Sequence, residues 1–208
     1  MIILFDNKKF KYSFIENRNS KNIENSFLKN TLKALDFMYQ NDLLQLTYND
    51  KNTGQKINYD IIDILVDETE EPIYIVQGTK NQYNPNNNVI SFYDTHGISF
   101  RKDYKKRFTS KNLGYNSPIS LLAHELIHCF HELYDEHNYR KRKSDKSTKG
   151  KKVTPKGHDL SFVNKEEELV VRLTNQVVRK LGEDVRRNYG RNYFKVKDVL
   201  SIDKEDFT

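Results

Sequence analysis

Two histidines and a glutamate in the stretch SPISLLAHELIHCFH, residues 117–131, stand at a spacing that can do hydrolytic chemistry. His124 and His128 are four residues apart, so on an α-helix they are offset by about 40° and about 6 Å along the axis. Both imidazoles can then ligate one tetrahedral zinc ion. Glu125 lies on the flank of that face, poorly placed to chelate the same ion but within reach of a water beside it. Zinc lowers the pKa of such a water toward ~7. A carboxylate at that position can act as general base while the water attacks a carbonyl.

The stretch has the local chemistry of a helix. Ser117 suits the N-cap, and Pro118 suits the first helical position, where a missing N–H costs nothing. Leu122, Leu126 and Phe130, with Ile119 and Leu133, supply an apolar face, and the helix is expected to run to about Asp135. Cys129 neighbours His128 but points about 100° away from it and reads as a core thiol.

A third ligand has to come from elsewhere. A glycine and a third histidine six residues past the second would continue the motif in one class of zinc enzyme. His131 and Tyr134 occupy the relevant positions here, which excludes that class. His131 stands two turns from His124, too far along a straight helix to close the same tetrahedron, and is expected at the surface or behind the ligands. His137 and the His158, Asp159 pair read as surface groups in or beside a basic loop, and His96 has no evident partner.

The acidic run Glu166, Glu167, Glu168 is the better source. Glu166 fits the ordinary role of an acid in the first turn of a helix, complementing its dipole. Glu168 is followed at once by Leu169, Val170 and Val171, which suggests that its side faces the core. A buried carboxylate needs a cation there, and zinc would supply one. Glu167 is then expected to line the site or hydrogen-bond a ligand.

These residues need a scaffold. Residues 2–15 suggest a hairpin, with Phe10, Tyr12 and Phe14 alternating with polar residues, and residues 16–25 read as a loop. A helix is expected from Ser26 to about Tyr39. After a turn at 49–54, Ile57, Ile61, Ile64 and Leu65 have helical spacing but β-branched character, leaving helix and strand both open. Short strands are expected at 72–76 and 89–93, with a turn at 84–88 between them. Residues 94–116 read as irregular and 136–157 as a long basic loop. A second long helix is predicted from about Asn164 to Leu181, ended by Gly182.

At 208 residues the chain fits one domain, 1–208, of class α+β with a small mixed sheet packed on the two long helices. Hydrophobic content of 36% and 31% charged residues describe a globular chain with a heavily solvated surface. No apolar run approaches the ~20 residues of a membrane span, and the short apolar start does not resemble a signal peptide. A single cysteine excludes an internal disulfide and suits a reducing compartment. The net charge of +6 is local: the segment 139–156 carries +8, leaving −2 for the remainder. Such a stretch can be a solvated loop, a docking site for an acidic surface, or a nucleic-acid or import segment; scarce aromatics make nucleic acid the least suitable. Nothing calls for more than a monomer.

SPISLLAHELIHCFHELYD followed by EELVV resembles the zinc-protease light chains of the clostridial neurotoxins. The later segment, through Leu173, Thr174 and Asn175 to Leu181, Gly182 and Glu183 and on to Arg186, Arg187, Asn188, Tyr189 and Gly190, resembles still more the NleD-like bacterial effector metalloproteases. The run from Asn84 to Asp94 is similar to their edge strand beside the cleft. The resemblance covers roughly residues 83–190. It implies a zincin-like domain with His124, His128 and Glu168 on zinc and Glu125 as base. By the same resemblance Arg186 and Tyr189 would stabilise the tetrahedral intermediate, as a guanidinium and a phenol can. It further implies an endopeptidase translocated from a bacterium into a host cell, acting on a signalling protein such as a MAP kinase. Asp135 replaces the family's glycine after Leu133 and Tyr134. Two other readings fit the motif: a housekeeping peptidase for short peptides, or a binding module that keeps zinc structurally. The second leaves Glu125 without a purpose, since structural zinc sites are usually closed by four protein ligands.

Overall fold

The computed structural model describes residues 1–6, 10–14, 23–49, 54–68, 71–102, 109–149, 162–187 and 191–205. Strand β1 (Ile2–Asp6) pairs antiparallel with β2 (Phe10–Ser13), the expected hairpin, and parallel with β5 (Ile73–Gln77). Strand β7 (Val89–Phe92) continues the sheet parallel to β5, and β6 (Gln82–Asn84) closes it as an antiparallel edge, giving the order β2-β1-β5-β7-β6. Ile2, Leu4, Ile73, Ile75, Ile90 and Phe92 are all buried, as strands covered by helices require. The turn between β6 and β7 brings Asn88 to φ 52, a left-handed conformation that asparagine tolerates.

Helix α1 (Ser26–Gln40) lies on the sheet. Asn25 caps it by accepting the Leu28 N–H, and Phe27, Leu28, Leu32, Leu35 and Met38 form its buried stripe. A hairpin of β3 (Gln45–Asn49) and β4 (Lys56–Asp60) follows. The chain then turns helical in α2 (Ile61–Asp63) and its wider continuation Ile64–Glu68. Both readings of this segment therefore hold in part. The switch falls at Asp60, whose side chain accepts the Asp63 N–H and so starts a helix.

Residues 94–116 are not irregular throughout. They contain β8 (His96–Arg101) and β9 (Leu113–Asn116), which with β10 (Asn192–Lys195) form a separate sheet in the order β10-β8-β9. Only Ile98 and Phe100 carry the alternation in β8, too short a pattern to read without its partners. Gly97 is fixed by close approach: a Cβ there would sit 2.6 Å from the Asn116 carbonyl oxygen.

Helix α3 (Pro118–Tyr134) is the motif helix and α5 (Lys165–Lys180) the acidic one, and they pack together across the core. Gly182 has φ 72, the left-handed geometry expected after a helix end. The region predicted as basic loop instead starts with helix α4 (Glu136–Ser144). It has no apolar stripe, with Tyr139 its buried residue; Arg140 pairs with Glu136 one turn away, and Lys143 Nζ donates to the Tyr139 hydroxyl at 2.8 Å. Residues 150–161, including His158 and Asp159, lie outside the described residues. The main core runs through the sheet, α1, α3 and α5, drawing on residues from Ile2 to Val199. No helix among the described residues is long and apolar enough to cross a membrane.

Candidate metal centre

Helix α3 is buried along its length from Pro118 to His131. Ser117 takes the N-cap position, but its hydroxyl donates to Glu183 instead of capping the helix, and its N–H donates to the same carboxylate at 3.1 Å. Asn116 adds a bond to Glu183 and another to the Asp184 carbonyl. The chain leaving α5 is thereby clamped to the start of α3.

About two and three turns into α3, His124 and His128 stand with ring centroids 4.8 Å apart and exposures of 2% and 4%. Both aim Nε2 at one carboxylate: His124 Nε2 lies 3.4 Å from Glu167 Oε2, and His128 Nε2 3.4 Å from Glu167 Oε1. Ligand atoms of a tetrahedral zinc, at bond lengths of ~2.0–2.1 Å, stand about 3.4 Å apart. His124, His128 and Glu167 together form a possible metal-binding triad.

The partner of the other His124 ring nitrogen fixes its tautomer. Thr174 Oγ1 gives its proton to the Val170 carbonyl at 2.8 Å, so it can only accept at His124 Nδ1, 3.2 Å away. His128 Nδ1 lies 3.4 Å from Glu166 Oε1 without a hydrogen bond. His124 then carries its proton on Nδ1, and both rings direct Nε2 at Glu167. Two imidazole nitrogens and a carboxylate converging in a buried space, with Glu167 Oε2 lacking a hydrogen-bond partner, fit a divalent cation.

The two buried acids and the histidines around them shift one another strongly. Burial pushes Glu167 up, but His128 and His124 outweigh it and hold its carboxyl far below the usual range. Glu166 is likewise raised by burial and lowered further by His128 and His131. Burial lowers His128, yet Glu167 and Glu166 reverse that and hold it up at about 10, whereas in His124 burial prevails and the pKa is lowered.

The carboxylate at the triad is Glu167, not Glu168. Successive helical residues diverge by about 100°, so Glu168 turns out of the site. It is 26% exposed and pairs with Lys165 Nζ at 2.7 Å. The apolar neighbours of Glu168 misled because the core face repeats every three or four positions: Glu167 stands three before Val170, four before Val171 and seven before Thr174, all buried. The helical period could have found it. Glu166 departs from expectation too, being fully buried. It accepts from His131 Nδ1 at 2.6 Å and from Arg142 Nε, and the Tyr48 hydroxyl meets His131 Nε2 at 3.0 Å. His131 thus belongs behind the triad.

Glu125 is 5% exposed and its Oε2 accepts the backbone N–H of Tyr83, in edge strand β6, at 2.8 Å. The Tyr83 hydroxyl in turn approaches Glu132 Oε2 at 3.0 Å and Asn88 Oδ1 at 3.1 Å, binding the edge strand to α3 at two levels. Neither Tyr83 nor Thr174 carries a sequence signal for this role.

Arg186 is buried at 3% exposure, its guanidinium carbon 6.0 Å from the Phe100 ring centroid. Its backbone is held to α5 by Asn175, which donates to the Arg186 carbonyl at 2.6 Å and accepts its N–H at 2.8 Å. Asn175 follows Thr174, whose hydroxyl contacts His124. Tyr189 lies outside the described residues. His96 stacks on Tyr93 at 3.9 Å, His137 is exposed, and Cys129 is buried with its thiol pushed up by burial.

No protein-family model matches this chain, and no curated protein matches it at a significant level.

Proposed function

We propose that this chain is a zincin-like zinc endopeptidase in which His124, His128 and Glu167 hold the metal and Glu125 is the general base. The observation that carries the reading is the convergence of both Nε2 atoms on the Glu167 carboxylate, one residue from a carboxylate tethered to an edge strand. Bound there, zinc would supply Lewis-acid polarisation of a peptide carbonyl and acidify water.

The remaining work falls to the chain's own groups. The Tyr83 amide fixes one oxygen of Glu125, leaving the other to take the proton of the attacking water and pass it to the leaving amine. Thr174 holds the His124 imidazole in the tautomer that offers Nε2. Arg186 and Tyr189, matched by resemblance alone, would donate to the developing oxyanion. The substrate class is a protein, and by the same resemblance the enzyme is a translocated bacterial effector acting on a host signalling protein such as a MAP kinase.

Glu125→Gln is expected to retain bound zinc and fold while losing proteolysis by several orders of magnitude. Comparing newly formed protein termini in lysates treated with wild type or variant checks both activity and substrate. Undiminished cleavage by Glu125→Gln would overturn the mechanism; turnover confined to peptides shorter than about ten residues would replace it with a housekeeping peptidase.

A further inference from the structure

A groove of about 760 Å³ lies among β3, α4 and α5, lined by Tyr48, Lys141, Arg142, Lys165, Glu168 and Arg172 among others. It uses the face of α5 turned away from the metal. At 100° per residue Lys165, Leu169, Arg172 and Gln176 cluster about 140–200° from Glu167. Its acids are largely engaged: Glu168 with Lys165, and Asp135 with Arg142 at 3.3 Å. Lys141 and Arg172 have no ion-pair partner among the described residues. Lys146 and Lys149, on the same stretch of chain after α4, are exposed, and Arg140 pairs with Glu136.

We propose that this groove docks an acidic segment of the protein substrate, an inference that rests on the protease reading for the word substrate but not for the binding itself. The unpaired cations of α4 and α5 attract carboxylates. The lining alternates Lys141, Arg142, Lys165 and Arg172 with Asp135, Asp145 and Glu168, which matches spaced carboxylates on a peptide better than an unbroken phosphate backbone. Tyr48, the aromatic ring of the groove, is already engaged with His131 and packed edge-on against Tyr59 and Phe130, so it offers no face to a base. A substrate held here is tethered on the helix that carries Glu167, which raises the local concentration of its scissile segment without any new contact at the metal.

The test is fluorescence anisotropy of a labelled peptide rich in Asp and Glu, against a Gly/Ser peptide of equal length and a single-stranded oligonucleotide, at physiological ionic strength. The acidic peptide is expected to bind wild type and Glu167→Ala alike, which separates docking from the zinc reading. Lys141→Glu with Arg172→Glu is expected to weaken that binding on the order of tenfold or more. Lys141→Gln with Arg172→Gln should weaken it less, and serves if the charge reversal does not fold. Binding of the acidic peptide no tighter than that of the Gly/Ser peptide, or unchanged in both double variants, overturns the proposal. Tighter binding of the oligonucleotide, lost in the same variants, overturns it in favour of a nucleic-acid surface.

Discussion

Glu166, Glu167 and Glu168 are the same side chain three times, and the turn of about 100° between them sends each to a different task. Glu166 is fully buried among His128, His131 and Arg142; Glu167 faces both Nε2 atoms; Glu168 pairs with Lys165 at the groove. Metal content measured by elemental analysis after dialysis distinguishes them. Glu167→Ala is expected to lose most of its zinc, whereas Glu168→Ala retains a full equivalent, because its loss leaves only Lys165 at the surface. Equal zinc in the two variants would remove Glu167 from the ligand set.

At the scale of elements, the site depends on how α3 and α5 are held to each other. Val170, Val177 and Leu126 bury their faces in the common core, and Glu183, just past α5, is bonded to the first residues of α3. Burial raises the Glu183 pKa, with bonds from Ser117 and Asn116 opposing it. The folded chain therefore keeps a proton at a pH where the unfolded chain has released it. That contribution to stability is complete below the unfolded carboxylate value of ~4.3 and is lost as pH rises through the folded value. Glu183→Gln keeps an acceptor for the Ser117 N–H but cannot titrate. Stability by urea unfolding should therefore fall for wild type relative to the variant as pH rises from ~4 through the folded value. A difference independent of pH would show that Glu183 does not titrate in this way.

Across the whole molecule, one core links the N-terminal strand to Val199, so the sheet and both site helices should unfold together. Leu126 is fully buried on the motif helix. Leu126→Ala is expected to cost about 2–5 kcal/mol through lost burial and the cavity left behind. Far-ultraviolet circular dichroism and aromatic absorbance, followed through denaturant, should show coincident midpoints in both proteins. Two separated transitions would mean that the metal site and the parallel sheet are independent units.

The sequence by itself determined what local chemistry determines. The spacing of His124, Glu125 and His128 is helical geometry, and the bounds of α1, α3 and α5 follow from apolar stripes, a proline at the first position of α3 and a glycine after α5. The strands β1, β5 and β7 were legible as dense apolar runs. Their order in the sheet, the short edge β6, and the pairing of β8, β9 and β10 were not, since hydrogen bonds between distant strands leave little mark on a three- to six-residue pattern. Helix α4 was hidden because ion pairs and contacts with α3 and α5 support it in place of a stripe of its own. Only the tertiary structure decided which glutamate meets the histidines. A run of three identical residues offers every direction around a helix, and the packing of α5 against α3 fixes which one points inward.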